Sequence, residues 1–205
     1  MAFGKPGRPP EDRLGRQREI FERVAPLILE HGAKGLSMTQ AARAACLSVG
    51  GLYHYFPTKR DLVLHALRPE AFTRICEDFE RESADLAQSD PEAFLEAFVD
   101  YSVTQVFFIR PALHAALELG ADTFFAAIES GIQEGLESFT EFLRAMVPGA
   151  AERDITALAR AFRRTFFGAM LDRTITPDEL RATLWTLIEG EALGLRCPAL
   201  EPALG

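Results

Sequence analysis

The chain of 205 residues lacks long apolar runs, and nowhere reaches the roughly eighteen consecutive apolar residues of a membrane-spanning helix. Its first residues, Met-Ala-Phe-Gly-Lys, lack the apolar block of a secretory signal. Cysteine is scarce, since Cys46, Cys76 and Cys197 are odd in number and far apart, which argues against a disulfide framework and fits no zinc spacing. These absences predict a cytoplasmic protein with no membrane contact, no metal and no cofactor.

Catalytic motifs are also missing. The sequence has no glycine-rich phosphate-binding loop, and its four histidines, His31, His54, His65 and His114, have no partners at a motif spacing. Strand-like alternation and internal repeats are absent too. We therefore do not expect an enzyme. Because catalytic groups need not be close in sequence, an enzyme whose site is not evident from the sequence stays an alternative.

Charge is present but unevenly distributed. The net charge of −8, taken alone, argues against a nucleic-acid partner. Residues 1–68 carry eleven Lys and Arg against six Asp and Glu, a net of +5, whereas residues 69–205 carry eleven against twenty-four, a net of −13. A basic segment joined to an acidic one indicates that phosphate contacts are confined to the amino-terminal part.

The basic part contains the pattern of a helix-turn-helix. Ser37 and Gln40 have the spacing of a capping box for a short helix, and Ser48 is placed to cap a second helix, Val49 to Phe56. Only a short turn containing Cys46 separates the two helices. If Cys46 takes the left-handed backbone conformation, this costs about 1 to 2 kcal/mol. In such a unit the second helix enters the DNA major groove.

The residues that close this unit make the pattern more specific. Ser48-x-Gly50-x-Leu52-Tyr53-x-Tyr55-Phe56-x-x-Lys59-x-x-Leu62 resembles the signature of the TetR family of transcriptional regulators. The resemblance covers about the first seventy residues and extends beyond them only in size and helical character. It implies DNA contacts from Thr39, Ser48, Val49, Gly51, Tyr53, His54 and Lys59, with Thr39 and Lys59 on phosphate, and core positions for Leu52 and Phe56. Ala41 and Cys46 depart from the usual pattern.

Helical periodicity and capping residues predict an all-α chain. We expect a first helix from about Glu11 to His31, kinked at Pro26 and stopped by Gly32, and a helix capped by Thr58. Further starts are expected at Asp90, Pro111, Asp122 and Thr176, with Gly120 ending the Pro111 helix, and two final helices spanning 150–171 and 177–195. The predicted domains are a flexible basic tail at 1–13, a helix-turn-helix domain at 14–68, and a larger ligand-binding and dimerisation domain at 69–205.

Pro69, at the predicted boundary, has two interpretations. Inside a continuous helix from Thr58 to Phe79 it would free the carbonyl of His65 and bend the axis, so that it could pass a ligand-induced shift to the DNA-binding unit. Alternatively, it ends one helix and begins another.

The second domain is rich in aromatic residues, which fill cores as often as they line pockets. The resemblance implies a small-molecule effector there, and an aromatic cavity suits an apolar or aromatic ligand. The candidate ligand-binding residues are Phe98, Tyr101, Gln105, His114 and Phe125. The last two helices are strongly apolar and in family terms form the dimer interface; the candidates are Phe162, Phe166, Met170, Leu184, Leu187 and Ile188. Alternatively, these helices are the core of a monomer.

These features together predict a homodimeric, ligand-responsive transcriptional regulator, a repressor that leaves a palindromic operator when its effector binds. The binding unit does not distinguish repressor from activator, and it does not identify the operator or effector. A helical adaptor that binds protein partners through its helix-turn-helix is the other alternative.

Overall fold

The computed structural model describes residues 12–126 and 151–189, together with the single positions Thr140 and Arg144. The described residues outside turns are helical, which confirms the predicted all-α class. The tail predicted at 1–13, except its last two residues, lies outside this part of the chain. So do most of the helix expected to start at Asp122 and the end of the helix expected at 177–195.

Four short or medium helices form the amino-terminal part. They are α1 (Arg13–Gly35), α2 (Met38–Ala44), α3 (Val49–Tyr55) and α4 (Lys59–Val63), and a 3-10 turn (His65–Leu67) follows. The larger part contains α5 (Pro69–Ser83), α6 (Leu86–Ser89), α7 (Pro91–Leu119), a helical stretch at 121–126, α8 (Glu152–Leu171) and α9 (Pro177–Glu189).

The predicted caps have formed. Ser37 and Gln40 make a complete capping box at α2, and Thr58 and Asp61 make one at α4. Asp90 accepts a hydrogen bond from the backbone amide of Ala93 at the start of α7, 3.0 Å long. Short side chains at these positions satisfy amide groups that have no partner inside a helix, so the helices begin where the sequence places such residues.

Pro26 lies within α1, and the kink expected there stays a prediction. The helix is interrupted at Gly32, with φ 71° and ψ 171°, which confirms the stop expected at this glycine; a last short stretch of α1 follows it. Pro111 behaves differently from the expectation. Pro111 does not begin a helix; it is buried inside the 29-residue α7, which does end at Gly120. Burial of Ala112 and Leu113 beyond Pro111 favours one continuous helix despite the roughly 3 kcal/mol that an interior proline costs.

Pro69 is a helix boundary. It is the first residue of α5, and Arg68 before it is extended, with φ −80° and ψ 137°. The carbonyl of His65 is not left free, because it accepts a hydrogen bond from the amide of Arg68, 3.1 Å long. The interpretation of Pro69 as a bend inside one continuous helix is therefore wrong, because the residue before a proline avoids the helical conformation.

The core is continuous across the predicted boundary between residues 68 and 69. Ile20, Phe21 and Val24 of α1 belong to the same buried cluster as Ile109 and Leu113 of α7. The rings of Phe21 and Phe108 meet edge to face, with centroids 5.2 Å apart. The amino-terminal helices therefore rest directly on α7, and the division into domains at 68/69 stays a prediction.

Candidate DNA interface and effector region

The helix-turn-helix has the expected geometry. Cys46 takes the left-handed conformation, with φ 56°, and it is the only residue other than glycine with positive φ among those described. This turn lets the amide of Leu47 reach the carbonyl of Ala42, 2.8 Å away, and brings α3 back across α2. The hydroxyl of Ser48 accepts a hydrogen bond from the amide of Gly51, 3.0 Å long, and so caps α3.

The two sides of α3 differ as the motif requires. Leu52 and Phe56 are fully buried, whereas Val49 and Tyr53 are 38% and 45% exposed. Ser48, His54 and Thr39 are at least partly exposed as well, and so is Gly51. Thr39 of α2 and the residues at the start and outer side of α3 are therefore accessible, and we call this set the reading surface: Thr39, Ser48, Val49, Gly50, Gly51, Tyr53 and His54.

Side chains of α1 hold the other end of this unit. Arg13 donates to the carbonyl of His54 (2.8 Å) and Gln17 to that of Tyr55 (2.7 Å), which are carbonyls at the carboxyl end of α3. Arg23 donates to the carbonyl of Ala45 at the end of α2, 3.3 Å away. These groups supply partners for terminal carbonyls that have none within a short helix. The sequence analysis missed them; a polar Gln17 beside the buried Ile20 and Phe21 was the available signal.

The side chain of Lys59 is held by hydrogen bonds within the protein, which the sequence analysis did not predict. Its ammonium group donates to the carbonyls of Lys34 and Leu36, each 3.1 Å away, and ties the end of α1 to the start of α4. Glu118 of α7 reaches the same segment and accepts a 3.5 Å hydrogen bond from the amide of Lys34. Lys59 therefore has a structural role beside the predicted phosphate contact.

We expect Lys59→Met to lower both stability and DNA affinity. Loss of hydrogen bonds from a charged group to carbonyls costs about 1 to 3 kcal/mol of unfolding free energy, and loss of one phosphate contact reduces the salt slope of DNA binding by about one. Urea denaturation and a salt titration of binding measure the two effects separately. Weaker binding with an unchanged salt slope would mean that Lys59 acts only by holding the end of α1.

The predicted effector residues do not form one group. The rings of Phe98 and Tyr101 lie in an aromatic cluster with Phe79 and Phe162; Tyr101 stacks on Phe79 at 4.3 Å, and Phe98 approaches Phe162 at 5.8 Å. Gln105 is 2% exposed and lies one helical turn after Tyr101 on the same side of α7. Its side-chain oxygen has no hydrogen-bond partner among the residues that the structure describes. We call this group the aromatic face of α7. It consists of Phe98, Tyr101 and Gln105 of α7 together with the rings that pack on them, Phe79 of α5 and Phe162 of α8.

His114 and Phe125 lie elsewhere. His114 follows Gln105 by nine residues, which at about 100° per residue places it on the opposite side of α7. Phe125 is 62% exposed and meets Phe124 edge to face. The structure therefore brings together three of the five predicted residues, Phe98, Tyr101 and Gln105.

The predicted interface residues divide in a similar way. Phe162, Met170 and Leu184 are 6%, 4% and 0% exposed within the single protomer, so their side chains pack inside it and have little surface to offer a partner. Phe166, Leu187 and Ile188 are only partly buried. The sequence analysis did not separate the two sets, because apolar periodicity is the same for a helix that faces its own core and for one that faces a partner.

A cleft of about 340 Å³ lies where the two parts of the chain meet. Its lining residues come from both parts of the chain: Arg60, Asp61, Leu64, Leu67, Arg68, Pro69, Thr123 and Ala126. Arg60 donates to the hydroxyl of Thr123 across the cleft, 2.9 Å away. The amino-terminal helices are thus joined to the larger part here as well as through α1 and α7.

Two absences complete the description. No helix among the described residues is long and apolar enough to span a bilayer. The same residues contain no group of three or more His, Cys, Asp or Glu side chains placed to hold a metal ion.

The fold and the reading surface define a helix-turn-helix protein, and comparison with known proteins agrees. The profile of the bacterial regulatory proteins of the tetR family matches residues 21–66. The HTH-type transcriptional regulator PksA of Bacillus subtilis (strain 168) is 39% identical over 57 residues, which are 28% of this chain and 28% of PksA. The sequence likeness to the TetR family therefore lies in the amino-terminal part, and the matched region is less than a third of this chain and of PksA.

Solved structures extend the likeness of fold to the rest of the chain. The TetR-family regulator PfmR from Thermus thermophilus superposes with a TM-score of 0.53 at 18% identity, covering 84% of this chain and 98% of PfmR. A TetR-family transcriptional regulator from Agrobacterium tumefaciens gives a TM-score of 0.54 at 20% identity, covering 87% of this chain and 98% of that protein. At such identities the agreement concerns the fold alone.

Proposed function

We propose that the chain is a DNA-binding transcriptional repressor that acts as a homodimer on operator DNA in the cytoplasm and is released by a small effector. The observation that carries the proposal is the reading surface. It is exposed, it lies on a helix whose two ends are both held by hydrogen bonds, and it belongs to the part of the chain with net positive charge.

The direct test is binding to the DNA upstream of the chain's own gene. A specific complex whose affinity falls steeply with salt is expected, because phosphate neutralisation releases counterions. Operator half-sites are expected about 34 to 36 Å apart, the spacing that a two-fold dimer imposes. An adaptor that binds protein through the same unit would show no affinity for this DNA.

Gly50 offers a sharper test, because in its case stability and DNA binding are expected to change in opposite directions. A Cβ atom added at Gly50 meets nothing within 4 Å, and the residue lies in a helix. Gly50→Ala should therefore raise the unfolding free energy by up to about 1 kcal/mol. If α3 approaches DNA through its backbone, the added methyl group should also weaken operator binding. Thermal melting and a binding titration measure both; a stabilised variant with unchanged affinity would exclude close backbone approach at Gly50.

Gly168→Ala is the matched control for Gly50→Ala. Gly168 lies in α8, and a Cβ added there also meets nothing within 4 Å. The same helix-propensity gain is expected, with no effect on DNA affinity.

For the homodimer, the partly buried Phe166, Leu187 and Ile188 are the proposed contact residues. Leu187→Asp should convert the dimer to a monomer and remove cooperative operator binding, because a charge in a partner-facing apolar surface is not compensated. Light scattering after size exclusion measures the mass. A dimer that persists in this variant, with the wild-type melting temperature, would exclude Leu187 from the interface.

For the effector, we propose an apolar or aromatic small molecule bound at the aromatic face of α7. Support comes from the side-chain oxygen of Gln105, one helical turn from Tyr101, which is buried and receives no hydrogen bond from the described part of the chain. Such an oxygen costs free energy until a donor reaches it, so an aromatic ligand carrying a hydroxyl or amine group fits best. Release of operator DNA by a panel of phenols, absent with Gln105→Leu, is the expected result.

A further inference from the structure

A second polar group lies on the opposite side of α7 from the aromatic face. Arg110 is 4% exposed. Its guanidinium group donates to the carbonyl of Ala169 (2.8 Å) and to that of Ile175 (3.4 Å), and it lies over the ring of Phe107, 4.1 Å from the centroid. Its Nε–H is buried and has no hydrogen-bond partner in the part of the chain that the structure describes.

Arg110 makes no ion pair within the described part of the chain. Asp172 is the acidic group that acts on it, but Asp172 is exposed and its carboxylate accepts hydrogen bonds from the amide and hydroxyl of Thr174, each 2.7 Å long. Burial lowers the pKa of Arg110. Buried cations in proteins are normally paired with an anion, because the cost of removing an unpaired charge from water is high.

His114 adds a second unused group beside Arg110. It follows Arg110 by four residues and therefore lies on the same side of α7, one turn further on. Its ring hydrogen-bonds the backbone of Met170, and its Nε2 atom is buried without a hydrogen-bond partner among the described residues; burial, followed by the charges of Arg173 and Arg110, lowers the pKa of His114. Two unpaired buried nitrogens thus occur together where α7 meets the end of α8 and the loop before α9.

We propose that Arg110 and His114 form a binding site for a small carboxylate. The Nε–H of Arg110 donates to one carboxylate oxygen. The negative charge of the carboxylate offsets the charges of Arg173 and Arg110 that disfavour a proton on His114, so that Nε2 of His114 can bind a proton and donate to the other oxygen. The ring of Phe107 and the side chain of Met170 supply apolar surroundings for a short organic body. The carboxylate provides the counter-charge that the described side chains do not give to Arg110.

This site differs from the proposed effector site, since the two lie on opposite sides of one helix. An anion bound there joins α7 to the end of α8 and to the loop that leads into α9. Binding should therefore stabilise the packing of the helices proposed for dimerisation. The effect on the dimerisation helices rests on the proposed function, whereas binding of the carboxylate to Arg110 and His114 does not.

The test titrates the full chain with acetate and benzoate, with acetamide and benzamide as neutral controls at constant ionic strength. Both carboxylates should raise the melting temperature and bind in calorimetry, whereas the amides should not. Because a charge-assisted hydrogen bond contributes about 1.5 to 3 kcal/mol, Arg110→Met should weaken carboxylate binding about tenfold or more. Arg160→Met, which removes an exposed arginine of α8, is the matched control and should bind as the parent does.

Arg110→Met could fail to fold, since it also loses the bonds to Ala169 and Ile175. A second measurement avoids this difficulty: the Nε–H resonance of Arg110 in the ¹⁵N-labelled parent, assigned by its absence in Arg110→Lys, should shift on addition of benzoate and not of benzamide. If neither carboxylate binds, or if the resonance stays in place while binding occurs, the proposal is wrong. Arg110 then serves only to hold the end of α8.

Discussion

Gly32→Ala is expected to lower the unfolding free energy by about 3 kcal/mol or more and to weaken DNA binding as a consequence. Gly32 has φ 71° and ψ 171°, a backbone region open essentially to glycine alone. A Cβ atom built there would also overlap both carboxylate oxygens of Glu118. Glu118 approaches this backbone closely, just before α2 begins, so the substitution affects the contact between α7 and the helix-turn-helix.

Substitutions at two other glycines separate the effect of backbone strain from the effect of overlap with Glu118. Gly120 has φ 125° with nothing within 4 Å of an added Cβ, so Gly120→Ala should show backbone strain alone, about 1 to 3 kcal/mol. Gly168→Ala should show neither strain nor overlap. Combining Gly32→Ala with Glu118→Ala should recover the part of the loss that comes from overlap.

Urea denaturation of these variants gives the free energies. The expected order of stability for the single substitutions is Gly168→Ala, parent, Gly120→Ala, then Gly32→Ala. A Gly32→Ala variant as stable as the parent would show that α1 can end in another conformation, and that the close approach of Glu118 is not required.

The sequence was sufficient for local features because their causes are local. Ser37, Ser48, Thr58 and Asp90 cap helices that begin next to them, and Cys46 takes the left-handed conformation because the turn between α2 and α3 is so short. In each case the chemistry that determines the structure lies within a few residues. The core positions of Leu52 and Phe56 were implied by the resemblance to the TetR signature rather than by local chemistry, and both residues are buried.

Features that depend on distant residues could not be predicted in this way. The hydrogen bonds of Lys59 to Lys34 and Leu36 join segments more than twenty residues apart. The burial of Phe162 and Met170 inside the protomer depends on where α7 lies, and so does the burial of Arg110. Pro111 was misassigned for the same reason, because the packing of α7 on both sides of it outweighs the local preference of proline for a first turn.

His65 is the next feature with a large expected effect, because it is a titratable group in an otherwise apolar core. It is 2% exposed, and its ring meets those of Phe21 and Phe56 at 5.7 and 5.4 Å. Neither ring nitrogen has a hydrogen-bond partner among the described residues. Burial, with a smaller contribution from the charge of Arg68, lowers the pKa of His65 from 6.5 to about 4.

The lowered pKa predicts a loss of stability in mild acid. Well above pH 6.5 His65 is neutral in both the folded and the unfolded chain and contributes no pH dependence. As the pH falls from 6.5 towards 4, the unfolded chain binds a proton that the folded chain excludes, so the unfolding free energy decreases. The decrease from this group amounts to about 2 kcal/mol at pH 5, and to about 3 kcal/mol when His65 is protonated in both states.

His65→Phe removes this titration and both unpaired nitrogens, and it places a third aromatic ring beside Phe21 and Phe56. We expect the variant to be at least as stable as the parent at pH 7 and clearly more stable at pH 5, with urea denaturation at the two pH values as the measurement. His31→Gln, which replaces an exposed histidine, is the control and should keep the parent's pH dependence. If His65→Phe and the parent lost equal stability between pH 7 and pH 5, the buried imidazole would not be the cause; its nitrogens would then have to find proton acceptors or water within the folded core.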